Sequence, residues 1–153
     1  MTVREAFRFF RAQPVIERRL KLLLDVGLDY LRLGQSADTL SGGECQRLKL
    51  AGHLASSKKP RCLFILSEPT IGLHTADVVR LLDCLDRLLA TGHSLIVIEH
   101  DLDVIKCADY VIDLGPEGGP KGGKVVALGT PEEIAGVTES FTGQWLAKVL
   151  EKP

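Results

Sequence analysis

The feature that most constrains the fold of this chain is a pair of short apolar runs separated by a helical pattern. Residues 62–66 and 95–98 are uninterrupted apolar stretches, as expected of strands buried on both faces of a parallel sheet. Between them, residues 75–90 repeat leucine and valine at helical spacing, and Gly92 follows where a helix typically ends. The order strand, helix, strand predicts an α/β fold with a mainly parallel sheet flanked by helices.

The residues before this core predict three helices. The first begins with a capping box of Thr2 and Glu5 and runs to about Phe10. The second begins at Pro14 and ends at Gly27, and its apolar stripe comprises Val15, Ile16, Leu20, Leu23 and Leu24. The third begins at Ser41. We expect its core-facing residues to be Leu48, Ala51, Leu54 and Ala55, and its solvent-facing cations to be Arg47 and Lys49.

The residues after the second strand predict a short helix, a third strand at 110–112 and a hairpin-edge strand at 124–128. Thr130 and Glu133 form a capping box with a proline in the first turn, which predicts another helix. The apolar face of a last helix comprises Phe141, Trp145, Leu146 and Val149. The pattern divides the chain into a helical region 1–60, an α/β core 61–130 and C-terminal helices 131–153.

Charge is unevenly distributed, although the formal net charge of the 153 residues is only −1. Residues 1–61 carry 12 Lys or Arg against 6 Asp or Glu, and residues 62–153 carry 7 against 14. The basic first half fits either contact with phosphates or ordinary solvated helix surfaces. The scattered cysteines have no ligand spacing, so we expect no zinc site. No signal sequence and no apolar run of about 18 residues is found, so we expect a cytoplasmic protein without membrane contact.

The start of the third helix has the chemistry of an anion site. Ser41 is a good N-cap, Glu44 completes a capping box, and Gly42 and Gly43 lie between them. Free N–H groups at a helix start, with no Cβ in the way, bind anions readily. The alternative is an ordinary capped helix.

Two strand ends carry polar side chains at the edge of the sheet where ligands bind in parallel α/β folds. Glu68 follows the first apolar run directly, and His100 follows the second by one residue after Glu99. A carboxylate there suits orienting a water molecule, and a histidine suits contact with a developing phosphate charge. His100 alone is better explained as a hydrogen-bonded histidine near the edge of the sheet.

Residues 118–124 have the G-x-x-x-x-G-K spacing of a phosphate-binding loop. The next residue is Val125 instead of Ser or Thr, and a strand rather than a helix follows. We therefore interpret this stretch as a glycine-rich hairpin turn.

These motifs, taken in order, resemble those of the ABC-type ATPases. Residues 40–44 (LSGGE) are similar to the signature motif, 64–69 to the Walker B strand, 72–74 (GLH) to the D-loop and His100 to the switch histidine. The resemblance is closer to the UvrA family of bacterial excinucleases, which shares the GLH and the runs VIEHDLDVIK at 97–106 and DLGPEGG at 113–119. It extends from Met1 to about Trp145.

The resemblance implies the C-terminal half of a P-loop, ABC-type nucleotide-binding domain from a DNA damage-recognition ATPase of nucleotide excision repair. In that family the residues matching Glu68 and His100 are catalytic, and those matching Ser41, Gly42, Gly43 and Glu44 contact ATP held by an opposing domain. The implied cofactors are ATP and Mg²⁺. The implied partners are the remaining nucleotide-binding segments or a second protomer, and, through the full-length protein, a UvrB-like protein and damaged DNA.

The chain departs from the family pattern in two ways. Ser67 stands where the family has the Asp that helps hold Mg²⁺, and Ile71 replaces the usual Thr. The Walker A loop, the Q-loop and the zinc-binding cysteine module of the family are missing. We therefore expect a truncated product or one part of a split protein, with half-sites for ATP that are not competent alone. The alternatives are a non-catalytic interaction module that docks on a complete ABC ATPase, and a fragment of an ABC transporter ATPase.

Overall fold

The computed structural model describes residues 1–55, 60–116 and 122–150. The chain forms two compact units, a first unit of Met1–Glu99 and a second unit of His100–Pro153. The division falls inside the region predicted as a single α/β core, directly after the second core strand. Each unit is described by itself.

The first unit alternates helices and strands and confirms the α/β class. Its elements are α1 (Val3–Phe9), α2 (Pro14–Asp25), α3 (Gly42–Leu54), β1 (Leu63–Ser67), α4 (Thr75–Ala90) and β2 (Ser94–Ile98), with a single 3₁₀ turn at Ala37–Thr39 before α3. Strands β1 and β2 pair in parallel, with Leu63 opposite Ser94 and Ser67 opposite Ile98. The capping box of Thr2 and Glu5 is present, as is the glycine after α4, where Gly92 has a φ of +87°.

The core of the first unit lies between one face of β1–β2 and helices α2, α3 and α4. Its fully buried members include Val26, Leu28, Leu50, Leu66, Leu81, Cys84 and Leu88. Phe64, Leu95 and Val97 pack against this cluster from the strands. A smaller cluster joins α1 to α2 through Val3, Ala6 and Leu20.

Two predicted helix faces are correct only in part. In α3, Arg47 is 2% exposed whereas Leu48 is 40% exposed. The buried stripe runs through Arg47, Leu50, Ala51 and Leu54, so Ala51 and Leu54 were predicted correctly, whereas Arg47 lies on the buried face because its guanidinium has backbone carbonyl acceptors inside the unit. In α2, Val15 and Ile16 are exposed because they lie in the first turn, and Leu20 and Leu22 are the buried residues.

The parallel strands are not buried on both faces as predicted. Leu63, Ile65, Ile96 and Ile98 point to one face of the pair, where their exposed fractions are 58%, 65%, 49% and 56%. The opposite face, which carries Leu66, packs on the helices. The first unit therefore presents a bare apolar sheet face, defined by these four residues.

The second unit consists of α5 (Leu102–Ile105), β3 (Val111–Gly115), β4 (Lys124–Gly129), α6 (Pro131–Ala135) and α7 (Phe141–Leu150). Strands β3 and β4 are antiparallel, which confirms the predicted hairpin edge, and the capping box of α6 is present. Ala127, Ile134 and Leu146 form the core. Phe141 and Trp145 were predicted to face it, but both are exposed, and the Lys148 ammonium lies 4.0 Å from the centre of the Trp145 ring.

Asp113 of the DLGPEGG run joins β3 to the start of α7. Its carboxylate accepts hydrogen bonds from the hydroxyls of Ser140 (2.6 Å) and Thr142 (2.9 Å). The Ser140 hydroxyl in turn accepts from the backbone N–H of Gly143 at 2.8 Å. This aspartate therefore has a structural role within the second unit.

Within the described ranges, no helix has the length and apolar character needed to cross a membrane. The glycine-rich stretch 118–124, interpreted above as a turn, falls largely outside the described residues.

Candidate nucleotide site

The start of α3 is a fully formed capping box, as predicted. The Ser41 hydroxyl accepts a hydrogen bond from the Glu44 backbone N–H at 3.2 Å, and the Glu44 carboxylate accepts one from the Ser41 N–H at 2.7 Å. Ser41 has extended backbone angles, with φ −66° and ψ 162°, so the chain enters the helix abruptly.

Two glycines keep this helix start accessible. A Cβ placed on Gly42 would meet nothing within 4 Å, so open space lies beside its backbone. The backbone N–H groups of the first turn point along the helix axis without helical acceptors, and the helix dipole makes this end positive. A 13-residue helix with such an end can take up a phosphate oxygen.

Glu44 is held by a second partner that the sequence did not indicate. The Tyr30 hydroxyl donates a hydrogen bond of 2.5 Å to Oε1 of Glu44. This bond, followed by the backbone N–H of Ser41, holds the pKa of Glu44 below its ordinary value of 4.5. Burial, followed by the same bond to Glu44, raises the pKa of Tyr30. Glu44 is therefore a carboxylate that completes the cap at neutral pH.

Glu68 has an unusual backbone conformation. With a φ of +47°, it is the one non-glycine residue of the described chain in the left-handed region. Its N–H donates to the Ile98 carbonyl at 2.8 Å, and its own carbonyl accepts from the Ile71 N–H at 3.2 Å. Residues in this region are strained, and such strain clusters at functional sites.

Side chains of α3 contact the turn that contains Glu68. Gln46 accepts a hydrogen bond from the Ser67 N–H through its side-chain oxygen at 3.2 Å. The buried Arg47 donates from Nη1 to the carbonyl oxygens of Pro69 (2.9 Å) and Ile71 (3.4 Å). The helix start and the Glu68 turn thus belong to one hydrogen-bonded assembly within the first unit.

Glu99 holds the same turn from β2. One oxygen of its carboxylate accepts from both the backbone N–H (2.9 Å) and the hydroxyl (2.5 Å) of Thr70. Tyr30, Gln46, Thr70 and Glu99 were not predicted from the sequence. Gln46 and Thr70 lie directly beside the motifs, which is a signal that could have found them, whereas Tyr30 and Glu99 reach their partners only through the fold.

His100 is the first residue of the second unit and precedes α5. The Asp101 side chain caps that helix by accepting from the Asp103 N–H at 2.8 Å. The candidate residues Ser41, Gly42, Gly43, Glu44 and Glu68 all lie in the first unit, and His100 is described with the second.

The donors fit a phosphate better than they fit a metal ion. The open glycine-lined helix start supplies N–H donors, whereas no group of three or more His, Cys, Asp or Glu side chains in the described part of the chain could hold a metal. Ser67 contributes a neutral hydroxyl where a carboxylate would bind Mg²⁺ more strongly. Within the described ranges, these residues fit a phosphate oxygen rather than a Mg²⁺ ion.

No family model matches the sequence. The chain is 58% identical over 152 residues to UvrABC system protein A of Aquifex aeolicus, a match that covers 99% of this chain and 16% of that protein. Its fold is similar to a crystal structure of UvrA2 from Deinococcus radiodurans, with a TM-score of 0.86 and 46% identity over 99% of this chain and 19% of that one. It is also similar to an ATP-binding subunit of an ABC transporter, with a TM-score of 0.56 and 25% identity over 99% of this chain and 63% of the other.

The chain therefore has the P-loop α/β fold of the ABC-type ATPases. Within that class, its sequence corresponds over almost its whole length to a segment of UvrABC system protein A. The chain spans about 16% of the length of these relatives.

Proposed function

We propose that this chain is part of a UvrA-like DNA damage-recognition ATPase, and that it supplies the signature helix, the Walker B glutamate and the switch histidine to an ATP site completed by other segments or chains. The observation that carries the proposal is that a single compact unit holds both an open, glycine-lined helix start and a strained carboxylate turn bonded to the same helix.

Each half-site has a distinct role in this proposal. The hydroxyl of Ser41 and the N–H groups of Gly42 and Gly43 bind the γ-phosphate of an ATP held by an opposing domain, and Glu44 fixes the cap. Glu68 orients the attacking water, and His100 donates to the phosphate charge that develops during transfer. ATP would supply the phosphoryl group, and Mg²⁺ would be held mainly by residues outside this chain, with Ser67 beside it.

The bare apolar sheet face supports the proposal that another segment or chain completes the site. Four large aliphatic side chains, each about half exposed or more, lie side by side on β1 and β2. Apolar surface concentrated in this way marks an interface. We propose that the remaining nucleotide-binding segments, or a second protomer, cover it, and that contact with damaged DNA and a UvrB-like protein takes place through the complete assembly.

Complementation tests this function. The chain alone is expected to hydrolyse no ATP above background, and mixing it with a polypeptide that carries the remainder of the Aquifex aeolicus relative is expected to restore turnover. Glu68→Gln should remove the restored activity without weakening association, because the amide keeps the shape but cannot accept a proton. Lys49→Met, at an exposed position of α3, is the matched control. Hydrolysis by the chain alone at the rate of a complete relative would contradict the proposal.

Ser67 favours a second candidate, a non-catalytic module that docks on a complete ABC ATPase and offers its helix start in trans. The missing carboxylate weakens the metal site but leaves the α3 start intact. A pull-down with and without ATP separates the two functions. Tighter capture of a complete ABC ATPase in the presence of ATP, with no turnover after complementation, would identify the docking module.

A further inference from the structure

We infer that Arg47 is a positioning residue that sets the conformation of the Glu68 turn from the signature helix. The inference deepens the proposed function, on which its catalytic consequence rests. Arg47 lies on the buried face of α3, on the helix that begins at the candidate phosphate site, and its side chain ends among the backbone carbonyls that follow Glu68.

Two carbonyls of the turn accept hydrogen bonds from Arg47, whose positive charge also acts on Tyr30 and Glu44 near the helix start. Nη1 donates to the Pro69 carbonyl at 2.9 Å and lies 3.4 Å from the Ile71 carbonyl, so one donor group joins two peptide units of the turn. Gln46 adds the bond to the Ser67 N–H on the other side of Glu68. The strained residue is therefore held before and after by adjacent side chains of a single helix.

The burial of Arg47 requires an explanation. The side chain is 2% exposed, no carboxylate within the described residues forms an ion pair with it, and its Nε has no hydrogen-bond partner there. Burying a guanidinium costs free energy unless its N–H groups form hydrogen bonds, and a methionine or leucine would fill the same space at a lower cost. Arginine is retained, we infer, because its donors fix the two carbonyls.

The same guanidinium is close to the start of the helix. A Cβ placed on Gly43 would lie 3.3 Å from Nη1 of Arg47, so the second glycine of the motif gives room to this side chain. A side chain added at Gly43 would therefore displace the Arg47 guanidinium, which holds the Glu68 turn. Arg47 links the half-site that receives a phosphate to the half-site that orients water.

Hydrogen exchange on the whole chain tests the link without requiring ATP turnover. The reporters are the amides of Thr70, Ile71 and Leu73, which are hydrogen-bonded within the turn or to Glu99. Arg47→Met should accelerate their exchange by about 10- to 100-fold, as expected when hydrogen bonds from a charged donor are lost. Amides in the middle of α4 should be unchanged.

Three variants complete the design. Arg47→Lys keeps the charge but offers a single point donor, so it should restore part of the protection. Gln46→Leu removes the bond to the Ser67 N–H and should also accelerate exchange in the turn. It is the substitute test if Arg47→Met does not fold. Lys49→Met, on the exposed side of α3, should change nothing. Unchanged exchange in the turn would overturn the inference, and so would a uniform acceleration throughout the first unit, which would indicate a general structural role.

A second readout separates this inference from the proposed function. In the complemented ATPase, Arg47→Met should lower kcat and leave the KM for ATP unchanged, because another segment binds the nucleotide. If complementation of the wild-type chain yields no turnover while exchange in the turn still depends on Arg47, the proposed function fails and the positioning role stands. If turnover is restored and Arg47→Met changes neither exchange nor kcat, the positioning role fails alone.

Discussion

Glu68 is a polar residue in a left-handed backbone conformation, which costs an L-residue about 1–2 kcal/mol. The surrounding contacts hold it there: its N–H donates to Ile98, and the residues on either side are bonded to Gln46 and Arg47. A carboxylate kept in such a conformation, directly after a parallel strand, is expected where its position matters to the chemistry. This agrees with the role that we propose for it.

The strain predicts opposite effects of glycine at two adjacent positions. Glu68→Gly should raise the free energy of unfolding by about 1 kcal/mol, because glycine adopts positive φ without cost. Ser67→Gly, in the regular strand β1, should lower it by about 0.5–1 kcal/mol. Urea unfolding of the two variants measures the difference. A lower stability for Glu68→Gly than for Ser67→Gly would show that Glu68 is not strained in solution.

Ser67 is expected to limit Mg·ATP turnover. Replacing it with Asp restores a full negative charge beside the metal, so Mg·ATP turnover of the complemented assembly should rise by at least about tenfold, equivalent to roughly 1.4 kcal/mol of barrier. Steady-state ATPase assays over a range of Mg²⁺ concentrations measure it. Ser67→Asn, which matches the shape of Asp without the charge, is the control. Equal turnover rates with Asp and Ser at position 67 would mean that Ser67 does not impair Mg·ATP hydrolysis.

The start of α3 contains a titratable group, the Glu44 carboxyl of its capping box. The pKa of Glu44 is lowered in the folded chain, mainly by the Tyr30 hydroxyl and then by the Ser41 N–H. A carboxyl group with a lowered pKa stabilises the fold above its ordinary value of 4.5, and this contribution is lost as the pH falls through the lowered pKa. The first unit should therefore lose stability below about pH 4.5 partly through the α3 cap.

Tyr30→Phe isolates this contribution. It removes the largest cause of the shift, so the pKa of Glu44 should return towards its ordinary value and the acid dependence of unfolding should become weaker. Carbon-detected NMR titration of Glu44 and thermal unfolding between about pH 3 and pH 7 measure both effects. Tyr110→Phe, at an exposed position of the second unit, is the control. An unaltered titration of Glu44 would exclude the Tyr30 bond in solution.

The elements differ in how far the sequence could predict them. Helix α4 has the bounds that its leucine spacing predicts, because the apolar pattern of a long amphipathic helix depends only on residues close in sequence. Part of the buried face of α3 was missed, because the acceptors of Arg47 lie 22 and 24 residues further along the chain. The motifs identify candidate site residues, which stay predictions, whereas Tyr30 and Glu99 could not be found in this way, since only the fold brings them to Glu44 and Thr70.

At the scale of the whole molecule, the two faces of β1–β2 differ in what they contribute. The strand pattern is apolar on both faces, as in a sheet covered on both sides, but among the described residues only the face with Leu66 is packed. The sequence therefore predicted a burial that the described residues do not provide. The difference is explained if the bare face is covered by another segment or chain.

Two neighbouring substitutions test this difference. Leu66→Ala, at a residue 4% exposed, should cost about 2–5 kcal/mol of stability. Ile65→Thr, at a residue 65% exposed on the bare face, should change stability by less than about 0.5 kcal/mol and should reduce self-association. Urea unfolding and light scattering measure the two quantities. A large loss of stability for Ile65→Thr would mean that this face is already packed in the isolated chain.

In the function that we propose, the helix start of this chain receives a phosphate held by another polypeptide. The most direct measurement is the NMR signals of the Gly42 and Gly43 amides, recorded with Mg²⁺ and a non-hydrolysable ATP analogue. We predict no shift for the chain alone and a clear shift of both amides once the remainder of the Aquifex aeolicus relative is added. The claim would be contradicted by the same shifts in the chain alone, or by none in the complete mixture.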